Sequence, residues 1–227
     1  MSPTVVEVER TYVGRPAPLG DARWGLVSGI VKAPVPAGTV LGLTHLNLDG
    51  DDQADRTVHG GVDKAVYAHP AEHLPVWAEQ LGEPVLAGAP LDVAAFGENI
   101  STRGVTEVTV SIGDVWSWGT ARLQVVQPRW PCQKLTVHRA SARVGPMMRA
   151  TGRTGWYLRV LQPGVVPADG PITVAEAHPA GVTVADANRA MLDRSLADEA
   201  LVRRVADLGD ALADEWRLPL LERLRGW

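Results

Sequence analysis

The chain of 227 residues lacks the side chains and segments that define several protein classes. Its single cysteine excludes internal disulfides, zinc sites built from cysteines alone and iron–sulfur clusters held by this chain. No apolar run approaches the length of a membrane-spanning helix. The N-terminal segment carries Glu7 and Glu9 and lacks the apolar stretch of a secretory signal. We therefore expect a soluble cytoplasmic protein with no membrane partner.

Lysine is almost absent as well. The 22 basic residues include only Lys32, Lys64 and Lys134, so arginine supplies the rest. The formal net charge is −4 and no basic run is present, whereas extended nucleic-acid binding requires a face rich in lysine or arginine. We expect no nucleic-acid partner, and each lysine that lies in a motif is a candidate for a specific function.

Residues 1–178 contain short apolar runs separated by glycine and proline, a pattern that predicts strands. Many short strands of this kind indicate a closed, barrel-like sheet in a mainly β protein with helices, an α+β fold. Helices are predicted over Pro70–Leu81 and Ser141–Thr151. The predicted strands are Val5–Val8, Leu26–Lys32, Ala65–Tyr67, Val108–Val110, Asp114–Trp118, Arg122–Gln127, Trp156–Leu161 and Ile172–Ala177.

From Gly181 onward the apolar spacing becomes helical. Two segments, 183–186 and 195–198, resemble capping boxes, because Thr183 and Ser195 are each followed three residues later by an acid. A third helical segment begins at Asp210. We therefore predict two domains: a barrel-like β domain over residues 1–178 and a small three-helix domain over residues 179–227.

The only cysteine, Cys132, has two readings. A lone cysteine is often a small buried apolar side chain. Here, however, Arg129 and Lys134 lie close in sequence, and Pro131 is suited to begin a helix over Pro131–His138 that places Cys132 in its first turn. Positive charge and a helix N-terminus favour the thiolate, which is a ligand for soft metals. The same groups also bind phosphate.

Two further segments carry candidate binding residues. In 55–65, His59 precedes two glycines and Lys64, which indicates either an anion-binding loop or a polar hairpin loop. In 96–100, Glu98 and Asn99 precede an apolar residue, so they either face a pocket or simply form the entry to a strand.

Taken in order, five segments of the chain resemble the MOSC family, the domain found at the C-terminus of molybdenum-cofactor sulfurases. The helical tail is similar to the three-helix domain that follows MOSC in stand-alone bacterial members. The resemblance extends over nearly the whole chain. The matching segments are Gly50–Asp55, His59–Ala65, Phe96–Asn99, Ile112–Asp114 and Gln127–Cys132.

The resemblance implies a barrel-like pocket for a molybdenum–pyranopterin cofactor (Moco). It assigns Cys132 as the protein thiolate ligand of molybdenum and Glu98 as a candidate for proton delivery. Contacts with the pterin and its phosphate are implied for Arg129, Lys64, Asn99 and His59, to which the basic surroundings of the thiol add Lys134.

The implied activity is that of a molybdenum-dependent oxidoreductase. It would reduce N-hydroxylated or N-oxygenated compounds such as 6-hydroxylaminopurine, a detoxification of N-hydroxylated bases. Because one cysteine cannot hold an iron–sulfur cluster and no flavin-binding motif is visible, the electrons would come from a separate flavoprotein or iron–sulfur reductase.

Several alternatives remain open. Cys132 carries sulfur as a persulfide in one of them, and in another the protein binds Moco without redox turnover. The chain also lacks the preceding β-barrel domain of larger MOSC reductases, so its pocket is either more open or completed in a homodimer.

Overall fold

The computed structural model describes residues 4–55, 60–87, 91–192 and 198–226. Its strands are β1 (Val5–Val13), β2 (Ala17–Pro18), β3 (Val27–Ser28), β4 (Ala33–Pro34), β5 (Val40–Leu43), β6 (Val66–Pro70), β7 (Ile100–Arg103), β8 (Val115–Trp118), β9 (Ala121–Pro128), β10 (Trp156–Gln162), β11 (Gly164–Pro167) and β12 (Ile172–Glu176). Its α-helices are α1 (Leu74–Leu81), α2 (Gln133–His138), α3 (Val144–Thr151), α4 (Val184–Leu192), α5 (Glu199–Ala206) and α6 (Asp214–Leu224).

Seven strands close into a barrel in the order β1–β12–β8–β9–β10–β6–β7, with β7 pairing back to β1. All neighbours are antiparallel except β6 and β7, which run parallel. Strand β1 closes the ring because its first residues pair with β12 and its later residues pair with β7 across an irregularity between Val8 and Arg10. The prediction of a barrel-like α+β fold is confirmed.

The barrel core follows the alternation read from the sequence. On β8, Trp116 and Trp118 are fully buried, whereas Ser117 between them is only partly buried. Trp116 meets Trp156 of β10 edge to face, with ring centroids 5.9 Å apart. Large aromatic side chains from β8 and β10, the two strands on either side of β9, therefore meet in the interior.

Two strand predictions need correction, and one barrel strand is not predicted. Residues 108–110 form a turn rather than a strand, with Val110 N–H donating to the carbonyl of Thr106 at 3.0 Å. Within 26–32 only Val27–Ser28 form a strand, β3, and at the next residue, Gly29, a Cβ would lie 2.6 Å from the Asp52 carbonyl oxygen. Strand β7 was not predicted, because its polar Ser101 and Thr102 are buried without apolar alternation.

The predicted barrel-region helices are shorter than expected. Pro70 remains in strand β6, and a 3₁₀ turn over Ala71–His73 precedes α1. The second helix begins at Val144 rather than Ser141 and ends at Gly152, which adopts the left-handed conformation expected of a C-terminal glycine.

The C-terminal helices confirm one capping box and correct another. Thr183 Oγ1 accepts the Asp186 N–H at 3.0 Å, and Asp186 Oδ2 accepts the Thr183 N–H at 3.2 Å. Helix α5 is instead capped by Asp198, whose Oδ1 accepts the Leu201 N–H at 2.7 Å, and Ser195 lies outside the described residues. Helix α6 begins at Asp214 rather than Asp210, since Gly209–Ala211 form a 3₁₀ turn.

The three C-terminal helices share one apolar core with the barrel, to which Val184, Val202 and Trp216 contribute. Ala213 N–H also donates to the carbonyl of Val126 on β9 at 3.0 Å. The division into domains at residues 178 and 179 stays a prediction. Within the described ranges, no helix has the length and apolarity needed to cross a membrane.

Gly155 provides a test of how closely β10 approaches β6. It has φ +65°, and a Cβ there would lie 2.2 Å from the Ala68 carbonyl oxygen. We expect Gly155→Ala to lower the free energy of unfolding by more than about 1 kcal/mol, measured by urea denaturation. Gly38→Ala is the control, because Gly38 also has positive φ but has open space around it. Equal losses in both variants would contradict a role for the close approach.

Candidate active site

One large cavity lies where the barrel meets α2, α3 and the C-terminal helices. Its volume of about 700 Å³ falls within the roughly 300–1,000 Å³ typical of small-molecule and cofactor sites. Loops, strand ends and four helices all contribute to its wall. The lining residues are Ser28, Gly29, Ile30, Lys32, Asp51, Asp52, Gln53, Ala54, Lys64, Tyr67, Gly97, Asn99, Gln127, Arg129, Trp130, Cys132, Lys134, Arg149, Tyr157, Met191, Leu192, Glu215 and Pro219.

All three lysines of the chain line this cavity, although Lys32, Lys64 and Lys134 are far apart in sequence. Arg129 and Arg149 add two more cationic side chains to the wall. The carboxylates on the same wall are those of Asp51, Asp52 and Glu215. The cavity is therefore rich in positive charge within a chain whose net charge is negative.

Cys132 is a free, partly buried thiol on the cavity wall. It is the N-cap residue of α2, with an extended backbone (φ −127°, ψ 171°), and its carbonyl accepts the Leu135 N–H at 3.1 Å. The helix thus starts at Gln133, two residues later than Pro131, so Cys132 precedes the first turn instead of lying within it. The thiol nevertheless faces the same cavity as the cationic side chains.

The guanidinium of Arg129 is buried beside the thiol segment. Its Cζ lies 5.0 Å from the ring centroid of Tyr67, a cation–π contact. Burial acts to lower its pKa, but Tyr67, Tyr157 and Cys132 outweigh this effect, so the pKa is raised and the group stays charged. No carboxylate of the described residues forms an ion pair with Arg129. Among the described residues, Arg129 is therefore a buried cation with no carboxylate in direct contact, and the Glu98 carboxylate acts on it only from a distance.

Lys64 does have a partner. Its Nζ lies 2.5 Å from Glu215 Oε2, which reaches the cavity from the first turn of α6. Lys64 is nearly buried, whereas the Glu215 side chain is 46% exposed. A pair with one exposed partner contributes little to stability, so its main effect is on the charge that the cavity presents.

Asn99 joins the cavity wall to the barrel. Its Oδ1 accepts the backbone N–H of Tyr67 at 3.0 Å, and its Nδ2 donates to Asp51 Oδ2 at 2.9 Å. Asp51 Oδ1 is bound by Lys32 Nζ and by the Gly14 N–H. Every polar atom of the Asn99 side chain is thus used within the protein, although the residue lines the cavity as predicted.

Glu98 is buried but is absent from the cavity wall. Its two carboxylate oxygens accept the N–H groups of Ala95 and Phe96 at 2.9 and 2.7 Å. Burial raises its pKa, and the backbone hydrogen bonds oppose that shift. Its carboxylate therefore holds the loop that contains Ala95 and Phe96. The role of Glu98 in proton delivery stays a prediction.

Gln127 places an unsatisfied acceptor at the cavity. Its side chain is fully buried on β9, and its Oε1 has no hydrogen-bond partner. Buried polar atoms are rarely left in this state, and Oε1 itself exposes less than 1 Å² to solvent. Together with Lys64 and Glu215, Gln127 also lines a second cavity of about 460 Å³.

Sequence reasoning missed several wall residues. Gln127 and Asp51 lie in two of the matching segments, whereas Lys32 lies in none of them. No sequence signal indicated Tyr67, Tyr157 or Glu215.

The predicted pocket residue His59 lies outside the described residues. Among the described residues, no group of three or more histidine, cysteine, aspartate or glutamate side chains is arranged to hold a metal ion.

Comparisons with known proteins place the chain in a family. The model of the MOSC domain matches residues 55–173. Protein YiiM of Escherichia coli (strain K12) is 43% identical over 164 residues, which are 72% of this chain and 70% of YiiM. A protein named reductase from Gibberella moniliformis (strain M3125 / FGSC 7600) is 39% identical over 117 residues, 51% of this chain and 20% of that protein. The crystal structure of YiiM from Geobacillus stearothermophilus superposes with a TM-score of 0.76 and 29% identity, covering 96% of this chain and 99% of that one. The chain belongs to the MOSC domain family.

Proposed function

We propose that the protein is a Moco-dependent reductase of N-hydroxylated and N-oxygenated compounds such as 6-hydroxylaminopurine, with Cys132 as the molybdenum ligand. MOSC domains are associated with Moco binding, and proteins of the YiiM type with Moco-dependent reductase activity. The observation that carries the proposal is the shared cavity of three groups: a free thiol, a buried guanidinium without a carboxylate partner, and a buried amide oxygen without a donor.

These residues fit a molybdenum–pterin chemically. One thiolate is a suitable protein ligand for a soft metal whose remaining ligands come from an organic carrier, and no described protein group supplies three ligands. The pterin phosphate is an anion that Arg129 and Lys134 would neutralise. Pterin N–H groups are donors that the free Gln127 Oε1 would accept. Asn99 would contribute to the wall rather than bind through its amide, because its polar atoms are already engaged.

When bound, Moco supplies the two-electron chemistry that takes an oxygen atom from nitrogen. The overall reaction is balanced as R–NHOH plus two electrons and two protons giving R–NH₂ and water. The electrons would be returned by a separate flavoprotein or iron–sulfur reductase. The chain's part is to hold the cofactor and the substrate, deliver protons and limit access of water.

Proton delivery needs groups with exchangeable protons on the cavity wall. Lys134 and Tyr157 lie on this wall, whereas the Glu98 carboxylate is engaged by backbone amides away from it. We therefore assign delivery to Tyr157 in preference to Glu98, since Lys134 is assigned to the phosphate. Met191, Leu192 and Pro219 supply an apolar side to the cavity, which favours the flat ring of an uncharged heterocycle.

The ligand assignment is tested by removing the thiol. Protein expressed in a host that makes Moco is analysed for molybdenum by mass spectrometry and for pterin by fluorescence, comparing wild type with Cys132→Ala and Cys132→Ser. We expect near-stoichiometric molybdenum in wild type, and loss of metal and of 6-hydroxylaminopurine reduction in both variants. The serine variant keeps the size of the side chain and removes only the soft sulfur ligand.

Retention of full molybdenum in both variants would contradict the role of Cys132. A labile sulfur adduct on Cys132 in wild type after treatment with a desulfurase, without bound molybdenum, would instead support the sulfur-carrier alternative. Bound Moco without consumption of any N-hydroxylated substrate, with a reductase supplied, would support a binding module.

The role of Arg129 is tested by separating cofactor binding from stability. The contact with the Tyr67 ring offsets the cost of burying the Arg129 guanidinium, so the charge makes no large net contribution to the stability of the empty protein. We therefore expect Arg129→Met to change the free energy of unfolding of the cofactor-free protein by less than about 1 kcal/mol. The same variant should weaken Moco retention by about tenfold or more, because a charge-assisted contact with the phosphate is lost.

Arg139→Met is the matched control for this variant. Arg139 is partly buried and forms an ion pair with Glu83, so its replacement should lower stability by about 1 kcal/mol and leave Moco retention unchanged. A large loss of stability in Arg129→Met, with Moco retention equal to that of the control, would show that Arg129 is structural.

A further inference from the structure

The ion pair between Lys64 and Glu215 lies on the wall shared by the two cavities. Both residues line the 700 Å³ cavity that contains Cys132, and both line the 460 Å³ cavity. Gln127 is the third member of this shared wall. The pair therefore contributes to the charge that this shared wall presents to both cavities.

Glu215 is held in place by its neighbours in the chain. Ala213 N–H donates to the carbonyl of Val126 on β9 at 3.0 Å, and Trp216 N–H donates to the Ala213 carbonyl at 2.9 Å. The Trp216 ring is fully buried and meets Trp130 edge to face at 5.8 Å. With anchors on both sides, the Glu215 backbone cannot move away from the cavity without disrupting the packing of α6.

The segment that carries Lys64 is fixed to the same region. Asp63, in the same 3₁₀ turn, pairs with Arg159 through Oδ1 and Nε at 2.5 Å. Arg159 also donates from Nη1 to the carbonyl of Asp210, just before α6, at 3.0 Å. The Lys64–Glu215 contact is therefore reinforced by a parallel link between the same two segments.

The cations of the cavity thus fall into two groups. Lys32 and Lys64 are each paired with a carboxylate, that of Asp51 and that of Glu215 respectively. Among the described residues, Arg129, Lys134 and Arg149 form no ion pair with a carboxylate. These three lie near Cys132 in the part of the wall made by the end of β9, α2 and α3. Positive charge available to an anion is concentrated there rather than at the Lys64 wall.

We propose that Glu215 is a specificity-determining residue that makes the Lys64 wall favour uncharged substrates over those carrying phosphate or carboxylate. It neutralises the Lys64 ammonium and presents a half-exposed carboxylate of its own. An anionic substrate must displace this carboxylate or lie beside it, and like charges close together are unfavourable. The inference rests on the proposed function, and it narrows the substrate class to neutral N-hydroxylated heterocycles, such as free bases, rather than their nucleotides.

The single cysteine offers a direct readout of this charge. The full chain is purified from a host that cannot make Moco, and Cys132 is alkylated with iodoacetate, which is anionic, or with iodoacetamide, which is neutral. Both reagents react with the same thiolate, so the ratio of their rate constants cancels changes in thiolate fraction and reports local potential. Glu222→Gln is the matched control, because it removes the same charge from an exposed position on the same helix.

We expect Glu215→Gln to raise the iodoacetate-to-iodoacetamide ratio by about threefold at low ionic strength, with the increase shrinking as salt is added. Glu222→Gln should leave the ratio near that of wild type. The proposal is overturned if the iodoacetate-to-iodoacetamide ratio is the same in Glu215→Gln as in Glu222→Gln. It is also overturned if Glu215→Gln speeds the reactions with iodoacetate and with iodoacetamide by the same factor. Because Glu215 is half-exposed, its replacement by glutamine does not threaten the fold, and thermal unfolding checks this.

A second readout uses the Moco-loaded enzyme with a reductase supplied. The ratio of kcat/KM for the 5′-monophosphate nucleotide of 6-hydroxylaminopurine to that for the free base should rise in Glu215→Gln and stay constant in Glu222→Gln. A shifted alkylation ratio without turnover of either compound would reject the proposed function and leave the charge selectivity standing. If the free base is turned over and Glu215→Gln changes neither the alkylation ratio nor the kcat/KM ratio, only the role of Glu215 is rejected.

Discussion

The buried carboxylate of Asp51 binds Lys32, the Gly14 amide and the Asn99 amide group, which lie 19, 37 and 48 residues away in the chain. These contacts join the loop after β5 to the segments after β1 and β3 and to the entry of β7. A buried carboxylate must be compensated in this way, and removing one partner of a buried pair costs about 3–5 kcal/mol. The position of one whole side of the cavity depends on this carboxylate.

The cavity contrasts groups that are fully satisfied with groups that are not. Asp51, Lys32 and Asn99 find their partners within the protein, so they shape the wall. Arg129 keeps its charge without a carboxylate, and Gln127 keeps an acceptor without a donor. Folding alone does not favour such groups, and a ligand with an anionic end and hydrogen-bond donors would satisfy them.

Sequence patterns predicted those features that depend on local chemistry. The alternation around Trp116 reflects the two faces of a strand, and the capping box at Thr183 reflects backbone donors only three residues away. The rarity of lysine drew attention to Lys64 and Lys134, which lie in the segments with candidate binding residues, and the cavity adds Lys32 to them. The sequence predicts Cys132 in the first turn of a helix, and the structure has it just before that turn, as the N-cap residue of α2.

Features that depend on distant contacts could not be predicted in this way. Strand β7 is polar and is buried only because β1 and β6 enclose it, so its residues carry no periodic signal. Glu98 reads as a pocket residue, yet the backbone amides that capture it belong to a loop whose path is set by tertiary packing. Glu215 reaches Lys64 across 151 positions of sequence, and its partner is decided by how α6 packs on β9.

The pairing of β1 with β12 also has a consequence for the order of events in the cell. Residues 5 and 6 meet residues 172 and 173, so the ring cannot close on the ribosome until most of the chain has emerged. The cavity then still lacks the side supplied by Glu215 and Pro219 of α6. Non-local closure of this kind is slow compared with helix formation. The complete binding space therefore exists only after synthesis has passed α6, so a bound group is fully enclosed only from that point.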